Sequence, residues 1–294
     1  VIKQPQKLKA FLQQVGNDIE STFGDNHMST ILHGGIVLNE FTLHFSDIDL
    51  IVVLREASRK DVSLLIGLWN EWESKHPFGE KLWINLLGVK LLTANKGTAW
   101  TVSKKGLRTV QGMPIDGMEL HTLLNHGKTL KGEHLIHRFP RLPKTYQADE
   151  LGNFYRILET YSMTTPLQPY YHRERPTDDD IGIILTFPRF LYNLKTGKIL
   201  TKCKAAQWYA ERYKPFREEL LTIAKFRLEP STKDPQAILA LYQKVPDMIP
   251  YFWTEYFRHF NLQISIPAPI SLGTTILYQH TFTAIHSGLV RLSP

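Results

Sequence analysis

The chain has 294 residues, of which 43% are hydrophobic and 21% charged, enough for two domains or one large one and too ordinary a balance for a disordered or fibrous protein. Lys and Arg number 35 against 28 Asp and Glu, a formal charge of +7 that favours polyanionic partners, yet the basic residues are scattered without the runs of a nucleic-acid footprint. The single cysteine, Cys203, excludes an internal disulfide framework and a cysteine-rich metal centre, and it suits a reducing compartment. The most apolar run, Ile181–Phe187, is too short to span a bilayer, and Val1 to Lys9 carries no apolar signal stretch. A cytoplasmic location with no membrane partner is therefore expected.

In chain order, Leu8, Phe11, Leu12, Val15 and Ile19 recur at helical spacing, which predicts a helix over Gln6–Phe23. Ser29–Leu32 reads as a short strand, followed by a turn at His33-Gly34-Gly35. Phe41–Leu54 reads as a buried strand interrupted by Asp47 and Asp49. Lys60–Lys75 has helical spacing, Lys81–Thr93 returns to strand composition, and Asp116–Leu130 predicts a helix ending near Gly127. That alternation points to a mixed sheet with helices.

Past Asp149 the strand signal fades. Helices are expected at Glu150–Tyr161, Asp179–Leu194, Lys204–Tyr213, Phe216–Phe226, Pro235–Val245 and Pro250–Phe260, while Gln263–Pro294 shows no assignable pattern. The expected fold class is α+β, a mixed-sheet domain over 1–148 followed by an all-α helical bundle over 149–262 and a C-terminal extension over 263–294. Tyr251, Phe252, Trp253, Tyr256, Phe257 and Phe260 fall at helical spacing and read as core. No His-Glu-x-x-His helix is present, which argues against zinc, and Cys203 reads as a packed small residue.

The segment that carries chemistry runs from Gly34-Gly35 to Asp47-Ile48-Asp49. Residues two apart on a strand share a face, so two carboxylates would stand side by side in apolar surroundings. Such a pair repels and is costly to bury unless a divalent cation such as Mg²⁺ compensates it. Glycines nearby let backbone N–H groups approach a phosphate.

These residues resemble the signature of the DNA polymerase β-like nucleotidyltransferase superfamily. Leu123–Gly132, Leu185–Lys202 and Ala205-Ala206-Gln207-Trp208 are similar to blocks of bacterial aminoglycoside 3″/9-adenylyltransferases, so the resemblance covers about residues 30 to 226. It implies a sheet domain and a helical domain with ATP and the acceptor bound between them. It also implies Mg²⁺ on Asp47 and Asp49, and phosphate contacts from Gly34, Gly35 and Ser46. Arg189 and Lys202 would be cations on the nucleotide phosphates, and Asp178 and Asp179 would recognise a cationic acceptor.

The expected activity is transfer of AMP from ATP to a hydroxyl of a streptomycin- or spectinomycin-like acceptor with release of pyrophosphate, as in aminoglycoside resistance. The family places a Glu, the catalytic base, on a later strand. Here Lys81–Lys90 contains no acid, and Asn85 or Gly88 takes the position, depending on the gap. Glu80, just upstream, is the remaining candidate base. Two alternatives follow: a nucleotide-binding sensor or regulatory module without catalysis, and, from the basic charge, a nucleic-acid nucleotidyltransferase.

Overall fold

A computed structural model describes residues 6–94, 96–115, 117–152, 178–229, 241 and 244–260. The chain divides into two compact units, Val1–Leu142 and Pro143–Pro294. Together they give the expected α+β class. The helices expected at Glu150–Tyr161 and Pro235–Val245 lie mostly, and residues 263–294 wholly, outside the described residues.

The first unit is built on a six-stranded sheet of order β5-β4-β3-β2-β1-β6, with β1 His27–His33, β2 Ile48–Leu54, β3 Leu82–Gly88, β4 Thr98–Ser103, β5 Gly106–Gln111 and β6 Lys128–Gly132. Only β2 and β3 run parallel; the other neighbours are antiparallel. Helix α2, Arg59–Lys75, makes the crossover that a parallel pair requires.

Alternation along β2 decides the layering. Ile48, Leu50, Val52 and Leu54 pack with α1, Gln6–Phe23, and with α2, through Leu8, Phe11, Val15, Leu65 and Trp72. Ile51 and Val53 point to the opposite face and pack with Leu120 and Leu123 of α4, Gly117–His126. A central strand covered on both faces reads as a continuous apolar run, which is why Ile48–Leu54 is so hydrophobic.

Four differences from the sequence reading have local causes. The strand expected from Phe41 starts only at Ile48, because Thr42 and Ser46 close a turn in which the Thr42 N–H donates to Ser46 Oγ at 3.0 Å and the Ser46 N–H to the Thr42 carbonyl at 3.0 Å. The strand expected to reach Thr93 ends at Gly88, and the short helix α3, Lys90–Ala94, follows. The β4–β5 hairpin has no counterpart among the expected elements, since β5 is an exposed edge with little apolar pattern. The helix expected up to Leu130 stops at His126, and Lys128–Gly132 pairs with β1 instead.

In the second unit, α5 is Asp178–Thr196, α6 Lys202–Arg212, α7 Arg217–Leu228 and α8 Val245–His259. Phe187, Phe190, Tyr209, Phe252 and Tyr256 are fully buried, and the Tyr256 hydroxyl donates to the Phe187 carbonyl at 2.9 Å. Of the aromatic series, Phe252, Trp253, Tyr256 and Phe257 are thus core, while Tyr251 and Phe260 are half-buried. Cys203 is buried too, its thiol 3.6 Å from the Ala224 carbonyl. Among the described residues no helix is long and apolar enough to cross a membrane.

Helix α2 begins with a capping box: the Asp61 N–H donates to Ser58 Oγ, and the Ser58 N–H donates to Asp61 Oδ2 at 2.9 Å. Ser58→Ala removes the acceptor for the Asp61 N–H and is expected to destabilise the first unit by about 1 kcal/mol, read as a lower urea midpoint.

Candidate functional site

The β1–β2 pairing brings Gly34 and Asp49 together. His33 pairs with Asp49 across the antiparallel ladder, and Gly34 follows at the point where the chain leaves the sheet. Gly34 has φ +72°, a left-handed conformation that side chains resist, and a Cβ built on it would stand 1.8 Å from Asp49 Oδ2. The Asp49 carboxylate therefore occupies the volume a side chain at residue 34 would need. Gly35 is less constrained: its φ is −64°, and the nearest obstacle to a Cβ is the Glu40 carbonyl at 3.2 Å.

Asp49 is half-buried within β2, whereas Asp47 is exposed and lies one residue before the strand begins. Both carboxylates are thus at the N-terminal end of the same central strand. They are hard oxygen donors, the type Mg²⁺ takes in ones or twos alongside substrate phosphates, and Gly34 leaves one of them room. That donor chemistry fits Mg²⁺. Among the described residues there is no group of three or more His, Cys, Asp or Glu positioned to hold a metal.

The parallel register of β2 and β3 sets what stands beside the pair. Ile48 is level with Leu82, Asp49 with Trp83 and Ile51 with Asn85. The neighbour of Asp49 is therefore Trp83, not Asn85 or Gly88. Asn85 is buried two residues further along and accepts from Thr101 Oγ1 at 2.7 Å, and Gly88 is level with Leu54 at the far end. Trp83 is half-buried, with the Arg108 guanidinium 5.9 Å from its ring centroid, within cation–π range.

Glu80 lies in the turn Gly79–Lys81 ahead of β3; its side chain is 56% exposed and its carboxylate is 3.7 Å from the Lys81 ammonium. Ser46 is buried, its hydroxyl engaged by the Thr42 N–H, so it shapes the turn that delivers Asp47. In the second unit, Arg189 donates through Nε to the Leu200 carbonyl at 3.0 Å, and the Lys202 ammonium would be 3.1 Å from a Cβ on Gly182. Asp178 and Asp179 are the first two residues of α5.

Sequence reasoning passed over three residues. Trp83 follows from aligning the first apolar residues of the two parallel strands, Ile48 and Leu82. Lys81 is a lysine with a side chain only 7% exposed, a burial no local pattern announces. His33 is expected in a turn, but it ends β1 and is 2% exposed, and neither ring nitrogen has a hydrogen-bond partner among the described residues. Burial alone lowers its pKa from the ordinary imidazole range to about 4, so the ring is neutral at pH 7.

No protein-family model and no curated protein matches the chain. Its fold is an α+β fold shared with a nucleotidyltransferase. The structure of spectinomycin adenyltransferase AAD(9) from Enterococcus faecialis, solved with ATP and spectinomycin, is similar at 15% identity with a TM-score of 0.61, over 84% of this chain and 98% of that one.

Two outcomes are expected. Gly34→Ala forces the Asp49 carboxylate aside and strains the backbone, so nucleotide binding in the presence of Mg²⁺, measured by calorimetry, falls at least about tenfold; Gly35→Ala changes it by less than about threefold. For His33, the folded pKa near 4 lies below the unfolded value of 6.5, so its contribution is complete above pH 6.5 and lost as pH falls towards 4. Between pH 7 and pH 4.5 the wild type should lose roughly 2–3 kcal/mol more stability than His33→Leu, read from urea unfolding at the two pH values.

Proposed function

We propose that this chain is a Mg²⁺-dependent nucleotidyltransferase that moves AMP from ATP to a hydroxyl of a small acceptor and releases pyrophosphate. The observation that carries this reading is the Asp49 carboxylate lying over Gly34, with Asp47 one residue ahead of the same strand. The fold shared with an adenyltransferase solved with ATP and spectinomycin supports it.

In this reading Asp47 and Asp49 hold the metal, whose chemistry when bound is to neutralise phosphate charge. The Gly34-Gly35 turn, with Ser46 behind it, receives the phosphates. The acceptor oxygen attacks the α-phosphorus in line, its proton leaves to solvent or a basic group, and the α–β bridging oxygen departs with pyrophosphate. Arg189 and Lys202 are assigned to the nucleotide phosphates. Asp178 and Asp179 are assigned to a cationic acceptor of streptomycin or spectinomycin type.

A second reading, a nucleotide-binding module without turnover, is favoured by one specific observation. The strand position beside Asp49 holds Trp83, which accepts no proton, and Glu80 is exposed and close to Lys81. Loss of a general base costs ~10²–10⁴ in rate while leaving binding in place.

Incubation with radiolabelled ATP, Mg²⁺ and a panel including streptomycin and spectinomycin separates the two readings. The enzyme gives covalent AMP transfer that chelation abolishes and Asp47→Ala lowers by at least about a hundredfold. Saturable ATP binding with no transfer to any acceptor identifies the module.

A further inference from the structure

The charge balance at the Asp47 and Asp49 end of the sheet carries a conclusion about metal number. Centres that hold two divalent ions a few ångströms apart rely on several anionic side chains to offset their mutual repulsion. Here the described residues offer no cluster of three or more His, Cys, Asp or Glu able to hold a metal. The position level with Asp49 on the parallel neighbour is Trp83, with Arg108 against its ring.

A fixed cation stands at the same end. Lys81 immediately precedes Leu82, the residue level with Ile48, just as Asp47 immediately precedes Ile48. Its side chain is 7% exposed, and its ammonium lies 3.5 Å from the carbonyl of His44, in the segment that leads into Asp47. A lysine is this deeply buried only where anionic or strongly polar groups offset the lost hydration. Glu80 adds a carboxylate 3.7 Å from that ammonium, 56% exposed, but it does not join Asp47 and Asp49 in a metal-binding group; among the described residues, two grouped carboxylates beside one ammonium suit one divalent ion better than two.

We infer that the site holds a single divalent ion, and that the Lys81 ammonium supplies to the nucleotide phosphates the charge a second ion would bring. The inference rests on the proposed nucleotide site and specifies how that site is charged. Residue 83 is then the determinant of metal number: a tryptophan withholds the third carboxylate.

The test counts bound Mn²⁺ by electron paramagnetic resonance on the full chain saturated with α,β-methylene-ATP. The wild type is expected to bind one ion per chain. Lys81→Met should keep that count and weaken the analogue at least tenfold, with Lys81→Arg recovering most of the loss. Trp83→Glu, with folding verified by circular dichroism, should raise the count to two. Two ions on the wild type, or an analogue affinity unchanged in Lys81→Met, overturns the inference and leaves the proposed function standing. Absence of any analogue binding to the wild type overturns the proposed function and this inference with it. The wild-type count and Lys81→Met decide the matter even where Trp83→Glu does not fold.

Discussion

The candidate site depends on a steric exchange between two adjacent strands. Asp49 can hold its carboxylate against β1 only because residue 34 has no side chain, and Gly34 can turn the chain away from the sheet only because it tolerates φ +72°. Antiparallel pairing of His33 with Asp49 fixes the two residues relative to each other. The carboxylate is thus placed by the sheet itself, whose hydrogen-bonded ladder is more rigid than a loop, and Asp47 is carried into position by the same strand.

The surroundings of that carboxylate follow from layering. β2 is buried on both faces, so its polar residues can appear only where the strand begins, at the edge of the two hydrophobic layers. The same edge collects the starts of β2 and β3 because these strands are parallel, and it therefore brings Lys81 and Trp83 close to Asp47 and Asp49. In an antiparallel arrangement the start of β3 would lie at the far end. His33, buried at this edge with no partner for either nitrogen among the described residues, is the least satisfied polar group described there. A site that accepts such a residue gives up some stability, and its neutral ring adds no charge beside the carboxylates at pH 7.

The second unit is held by aromatic packing. Phe187 of α5 stacks on Phe252 of α8 with centroids 5.1 Å apart, and Phe190 meets Tyr256 edge-on at 5.0 Å. Asn193 of α5 ties in the residues before it, its Oδ1 accepting from the Tyr146 hydroxyl at 3.2 Å and its carbonyl from Gln147 at 2.9 Å. Arg189 sits between these anchors on α5, and its bond to the Leu200 carbonyl joins that helix to the segment preceding α6. Its guanidinium is thereby oriented by the backbone of its own unit.

Periodicity along the chain is enough to locate α1, α2, the four helices of the second unit and the buried run of β2, because side-chain hydrophobicity repeats at the pitch of each element. The sequence also singled out Asp47, Asp49 and Gly34, since charges inside an apolar run and paired glycines are conspicuous in one dimension. It did not show the edge strands β5 and β6, whose exposed faces leave little apolar alternation, nor where Ile48–Leu54 would begin, which hydrogen bonds between Thr42 and Ser46 decide. Tertiary structure alone settled which residue of the third strand stands level with Asp49. Register is a relation between two segments 34 residues apart in the chain (Asp49 to Trp83), and only their hydrogen-bonded pairing fixes it.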